Sequence, residues 1–128
     1  MSPATPPSTA LGLPLLVLDS ITEAVGCGQG CVVVSGSHGG LSAGRFALQS
    51  GARLAVFNDA GVGLDGAGIA ALALLQSHAM AACTVAHSSA RIGEAASTWR
   101  EGVISHCNAS AQAMGARPGV PLRRWLLP

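Results

Sequence analysis

A chain of 128 residues is long enough for one domain with a single core, since at this size folding buries roughly two-thirds of the surface that the unfolded chain exposes. Only 10% of the residues are charged and 49% are hydrophobic, against a typical charged share of about 25%, so a monomer lacks polar covering and a homo-oligomer hiding an apolar face is expected. The net charge of +1 excludes the electrostatic footprint of a nucleic-acid binder, and the absence of Lys and Tyr excludes lysine Schiff bases, a P-loop lysine and a tyrosine acid.

Residues 1–12, rich in Pro, Ser and Thr and without a basic n-region, read as a flexible leader rather than a signal peptide. The first strand is Leu15 to Leu18. Ser20 and Glu23 form a capping box that opens a short helix, Ile21 to Val25, ended by Gly26. That connection is near the minimum for a parallel crossover, which leaves an antiparallel pairing of the first two strands open. The second strand, Cys31 to Ser35, leads through Gly36 to a helix from Leu41 to Ser50, closed by Gly51. The third strand, Arg53 to Phe57, meets a Gly-rich loop at Asn58. A helix from Gly66 to Met80 follows with Asp65 as N-cap, apolar round most of its circumference and therefore buried or at a subunit interface.

The longest apolar stretch, Ala67 to Ala86, is interrupted by Gln76, Ser77 and His78, which a membrane span would exclude, so no membrane partner and a cytoplasmic location are expected. The fourth strand, Cys83 to Ala86, opens a polar loop from His87 to Ser97. Thr98 and Glu101 read as a capping box for a helix from Trp99 to Met114, and residues 117–128 form a Pro- and Arg-containing tail suited to docking on a neighbouring subunit. Cys27, Cys31, Cys83 and Cys107 lack a disulfide or zinc-finger spacing and read as unpaired thiols. Residues 13–116 thus form a single α/β domain of three layers, with a mostly parallel sheet of about four strands and helices on both faces.

The polar residues that follow the four apolar runs fall on one rim of such a sheet, where ligands bind in open α/β folds. After the second strand come Ser37, His38, Gly39 and Gly40, a turn whose glycines let backbone amides approach a ligand. These four residues resemble the His-Gly-Gly oxyanion loop of some α/β-hydrolase esterases, which implies an anion held by the amides of Gly39 and Gly40. The chain has no Gly-x-Ser-x-Gly elbow and is far shorter than that family.

After the third strand come Asn58 and Asp59, then glycines at 61, 63, 66 and 68. They satisfy the Gly-x-Gly-x-x-Gly pattern, but Asp59 and Asp65 would repel a pyrophosphate, and the acid expected about 20 residues on is absent. The 11 residues from Asn58 to Gly68 are similar to the Asn-Ala-Ala-Asn and Gly-Val-Asp-Gly-Ala segment of macrodomains, which implies ADP-ribose as an alternative ligand class. After the fourth strand come His87, Ser88 and Arg91, a base, a hydroxyl and a guanidinium that suits a carboxylate or phosphate bidentately. An ion pair of Arg91 with Glu94 is the plainer reading of that spacing.

His38, His87 and Asp59 are therefore the catalytic candidates, with Asn58, Ser37, Gly39, Gly40, Ser88 and Arg91 binding a small-molecule substrate. The set works either as a metal-free base, orienter and acid or as two imidazoles and a carboxylate on a divalent metal; the cofactor stays open. The leading expectation is a small enzyme, hydrolase or lyase, acting on a small polar, anionic substrate by His-mediated acid/base chemistry. The alternatives are a non-catalytic module for a nucleotide or other phosphorylated ligand, and a structural assembly subunit.

Overall fold

A computed structural model describes residues 6–128; the first five residues of the expected leader lie outside the described residues. Strands β1 (Leu15–Leu18), β2 (Val32–His38), β3 (Leu54–Asn58), β4 (Ala81–Val85) and β5 (Ile104–Cys107) form one sheet in the order β1-β2-β3-β4-β5. The first four are parallel and β5 is antiparallel to β4, so the mostly parallel sheet has five strands where four were expected. The Ser20–Glu23 capping box is present and starts a 3-10 turn, Ile21–Ala24, which suffices for a parallel crossover.

Side chains alternate along the apolar runs of the parallel strands. Val33, Ala55, Phe57 and Ala82 face one side, where they meet Ile21, Ala24, Ala43, Ala47, Ala71 and Leu75. These last come from the 3-10 turn, α1 (Leu41–Ser50) and α2 (Ala70–Gln76), so all three parallel connections cross the same face, as right-handed crossovers in sequential strand order require. Val32, Val34, Leu54, Val56, Cys83 and Val85 face the other side. They are covered by Ala90, Ala111, Leu122 and Leu126, with Trp99 packed alongside, which come from the chain after β4: its following loop, α3 (Ala95–Glu101), α4 (Ala109–Ala113) and α5 (Leu122–Leu126). The result is three layers.

Three expected elements take a different form. The helix expected over Trp99 to Met114 is instead α3, strand β5 and α4, because it breaks at Gly102, where a Cβ would collide with the Thr98 carbonyl and lie 2.7 Å from Val85 Cγ1. Thr98 and Glu101 then both lie inside α3, and its N-cap is Glu94. The helix expected from Gly66 begins only at Ala70, since Asp65 (φ 55°) and Gly66 (φ 71°) are left-handed and Asp65 caps nothing. The tail folds back on its own chain: Leu122 and Leu126 are fully buried, and Ala10 donates its amide to the Leu126 carbonyl. Among the described residues, no helix is long and apolar enough to cross a membrane.

All four cysteines are free thiols, in different settings. Burial pushes the Cys83 thiol pKa strongly up, with Cys107 adding to it, and burial likewise raises Cys31 and Cys107. Cys27 is exposed. Because the thiolate is the reactive form, a disulfide reagent at pH 7 is expected to label Cys27 within minutes and Cys83 only on global unfolding. Equal labelling rates under native conditions would contradict this packing.

Candidate functional site

The sheet has no reversal of strand order, yet it has a crevice. The chain leaving β3 passes to the α2 face, whereas the chain leaving β4 passes to the opposite face on its way to α3. Adjacent loops that diverge to opposite faces leave a cleft at the carboxyl ends of their strands, the situation that a topological switch point creates in doubly wound sheets. Asp59 follows β3 directly, and His87 is the second residue after β4.

The loop from β4 is held open from several sides. Asn58, fully buried, donates Nδ2 to the Ala90 carbonyl at 3.1 Å and accepts the Ala60 amide on Oδ1 at 2.8 Å. Gly93 donates its amide to the Gly36 carbonyl, and Asp19 at the end of β1 accepts the Ala95 amide at 2.9 Å, fixing the start of α3. Gly36 is required because a Cβ there would collide with the Gly93–Glu94 backbone.

Asp59 is 4% exposed and its Oδ1 is the hub of the site. It accepts the Gly61 amide at 2.8 Å and the His87 amide at 3.0 Å, and it lies 3.4 Å from His87 Nδ1. Burial works to raise the Asp59 carboxyl, but the Ser105 hydroxyl, the Gly61 and His87 amides and the charge of His87 outweigh it and hold its pKa below the ordinary carboxylate value. Ser105 stands there because β5 bulges: Thr84 pairs with His106 and Val85 with Ile104, leaving Ser105 as the extra residue. Its hydroxyl also bonds Thr84 Oγ1 at 2.9 Å.

The His87 side chain is 61% exposed. It borders a cavity of about 520 Å³, lined also by Ser88, Arg91, Ser97 and Glu101. With Nδ1 turned to Asp59, Nε2 is the ring nitrogen left for the cavity. Ser89 is committed to structure, donating to the Ala86 carbonyl and accepting the Val103 amide. Arg91 makes no ion pair with Glu94; among the described residues, His87–Asp59 is the one ion pair.

His38 is not in this cavity. It lines a neighbouring one of about 610 Å³ together with Gly40, Leu41, Val62 and Asp65, and only Ala60 borders both. The divider is the β3 loop, in which Ala60, Gly61, Val62 and Gly63 are all left-handed. The His38 ring lies over Gly40, where a Cβ would be 3.0 Å from Nε2.

The other residues of that turn are occupied. The Gly39 amide donates to the Asn58 carbonyl and the Gly40 amide to the His38 carbonyl, so neither amide is free for an anion, and Ser37 Oγ accepts the Ile21 amide at 3.0 Å. The two imidazoles and one carboxylate do not assemble as a ligand set. Among the described residues, no group of three His, Cys, Asp or Glu side chains is placed to hold a metal ion.

Sequence reasoning missed Ser97, Glu101 and Ser105. In the sequence Glu101 reads as part of a cap and Ser105 as a helix interior, and no local motif marks either. No family model, curated protein or solved structure matches this chain, so the site is read from its own geometry.

Proposed function

We propose that the protein is an enzyme, a hydrolase or lyase, that acts on a small polar substrate through His87 as acid/base. The observation that carries this reading is the buried Asp59 carboxylate beside an exposed imidazole at the edge of a cavity. Imidazole exchanges protons near neutral pH. A carboxylate at Nδ1 fixes the tautomer with Nε2 free to accept a proton and stabilises the imidazolium that forms. The 3.4 Å separation is longer than a good hydrogen bond, as unliganded acid/base pairs often are.

Arg91, whose guanidinium has no hydrogen bond or ion pair among the described residues, is the anchor for the anionic group of the substrate. Support also comes from the β3 loop: left-handed Ala60 and Val62 each carry a strain of about 1–3 kcal/mol, the kind of outlier that collects at functional sites. His38 takes part only with a substrate that reaches past Ala60. The expected homo-oligomer belongs to this proposal as well, with exposed Leu64 and Ile92 at the two cavity mouths as its apolar surface.

The test is to incubate wild type, His87→Gln and His38→Gln with a small-molecule extract and follow consumption by mass spectrometry. A compound consumed by wild type is expected to turn over roughly 10²-fold or more slowly with His87→Gln and nearly normally with His38→Gln. If nothing is consumed, or both variants keep full rate, the acid/base reading fails and a binding module takes its place.

A further inference from the structure

The His87 cavity presents two opposite charges on one wall. Arg91 comes from the loop after β4, and Glu101 is the last residue of α3. Ser97 ties them together: its hydroxyl accepts the Arg91 amide at 2.9 Å and donates to Glu101 Oε1 at 3.1 Å. Ser97 and Glu101 are four residues apart on one helix, the spacing that brings side chains onto the same face. Ser97 is only 8% exposed, so the Glu101 carboxylate is tethered to a fixed point rather than free in solvent.

Two features separate this arrangement from an ordinary surface pair. Among the described residues, the guanidinium and the carboxylate form no ion pair, although both border the same cavity and the smaller recess of about 200 Å³ beside it, which Glu94 and Arg100 also line. A carboxylate at the C-terminus of a helix is also opposed by the helix dipole, which the Ser97 bond to Glu101 offsets. An anion lodged at Arg91 would meet repulsion from Glu101, and a cation at Glu101 would meet it from Arg91. A ligand carrying both charges satisfies both groups.

We propose that Arg91 and Glu101 select a zwitterion, a small molecule bearing an ammonium group together with a carboxylate or other anionic group. The proposal rests on the His87 reading only for the reaction; binding by the Arg91–Glu101 pair stands apart from it. Glu101 is a specificity residue for the ammonium and Arg91 for the anion.

The probes are the ω-amino acids from glycine to 6-aminohexanoate, with butyrate and butylamine as single-charge controls, titrated at constant ionic strength into 15N-labelled full-length protein. At least one amino acid is expected to shift the amide signals of Arg91, Ser97 and Glu101 saturably, with a Kd about tenfold or more below that of either control. Glu101→Gln is expected to bring that amino acid within twofold of butyrate, and Arg91→Gln to abolish binding. Wild-type binding of butyrate as tight as of the best amino acid, an undiminished preference in Glu101→Gln, or no saturable shift with any probe would each overturn the proposal. His87→Gln should still bind the zwitterion, so loss of turnover and loss of selectivity fail separately.

Discussion

Asp59→Ala is expected to destabilise the protein by about 3 kcal/mol, which at this chain length lowers the melting temperature by roughly 12 °C. The variant leaves the Gly61 and His87 amides without their acceptor, and an unsatisfied donor costs about 1–3 kcal/mol when buried, the lower end applying to these two part-buried groups. Within the left-handed Ala60–Gly63 stretch it removes only the bond from the Gly61 amide, while those from Ala60 to Asn58 Oδ1 and from Val62 to the Asp59 carbonyl remain. Asp59→Asn keeps an oxygen for both amides and loses only the charge, so its cost should be smaller, about 1–2 kcal/mol. Neither variant carries the titrating carboxyl, so pH acts on the gap between wild type and variant. The folded Asp59 carboxyl titrates below its unfolded value, so its stabilisation is fully present above the unfolded pKa and disappears as pH falls through the folded one. The gap between wild type and Asp59→Asn in urea midpoint should therefore be constant above about pH 5 and close below about pH 4. A gap that is unchanged at pH 3 would mean that the carboxylate charge contributes nothing to folding.

What could be read from the residues follows from how local each signal is. Three of the four parallel strands hold runs such as Val32-Val33-Val34, buried on both faces, and such a short apolar run identifies itself, as does the partly buried Leu15–Leu18 at the sheet edge. Strand β5 has no such run. Ile104-Ser105-His106-Cys107 alternates only weakly, and its neighbours Thr98 and Glu101 imitate a helix start. The contradicting signal, Gly102 followed by β-branched Val103 and Ile104, was present, and its force depends on Val85 lying against Gly102, a contact far away in sequence. The site divides the same way. Asn58, Asp59, His87, Ser88 and Arg91 follow adjacent strands, so their convergence was legible from strand ends alone. The separation of His38 from His87 was not, because it is made by a loop with consecutive left-handed residues, two of them not glycine. Glu101 ends a helix where the residues read as beginning one, and Ser105 sits on a strand that reads as helix, so neither stands out locally as a residue of the cavity.

The glycines of the β3 loop look equivalent in sequence, and the structure separates them. Gly61, Gly63 and Gly66 have φ of 75°, 74° and 71°, and each serves conformation. Gly68 does not have a positive φ; it serves contact. A Cβ at Gly68 would overlap the Asp59 carbonyl oxygen and lie 3.0 Å from the Val62 carbonyl oxygen, both main-chain atoms that cannot rotate away. Those two carbonyls are already bonded, Asp59 to the Val62 amide at 2.7 Å and Val62 to the Gly68 amide at 2.6 Å. Gly68→Ala must therefore move the backbone that carries the Asp59 side chain, and its expected cost is about 4 kcal/mol, at the upper end for a single substitution. Gly119→Ala is the reference for conformation alone: φ is 88°, nothing lies within 4 Å of the added methyl, and the expected cost is about 1–2 kcal/mol. Urea unfolding of the two variants at pH 7 separates the effects. Equal midpoints would mean that Gly68 has room for a side chain and that the turn under Asp59 is looser than its two short hydrogen bonds imply. A lower midpoint for Gly68→Ala, with turnover lost under conditions where that variant is still folded, would tie the position of the carboxylate beside His87 to a glycine outside the His87 cavity.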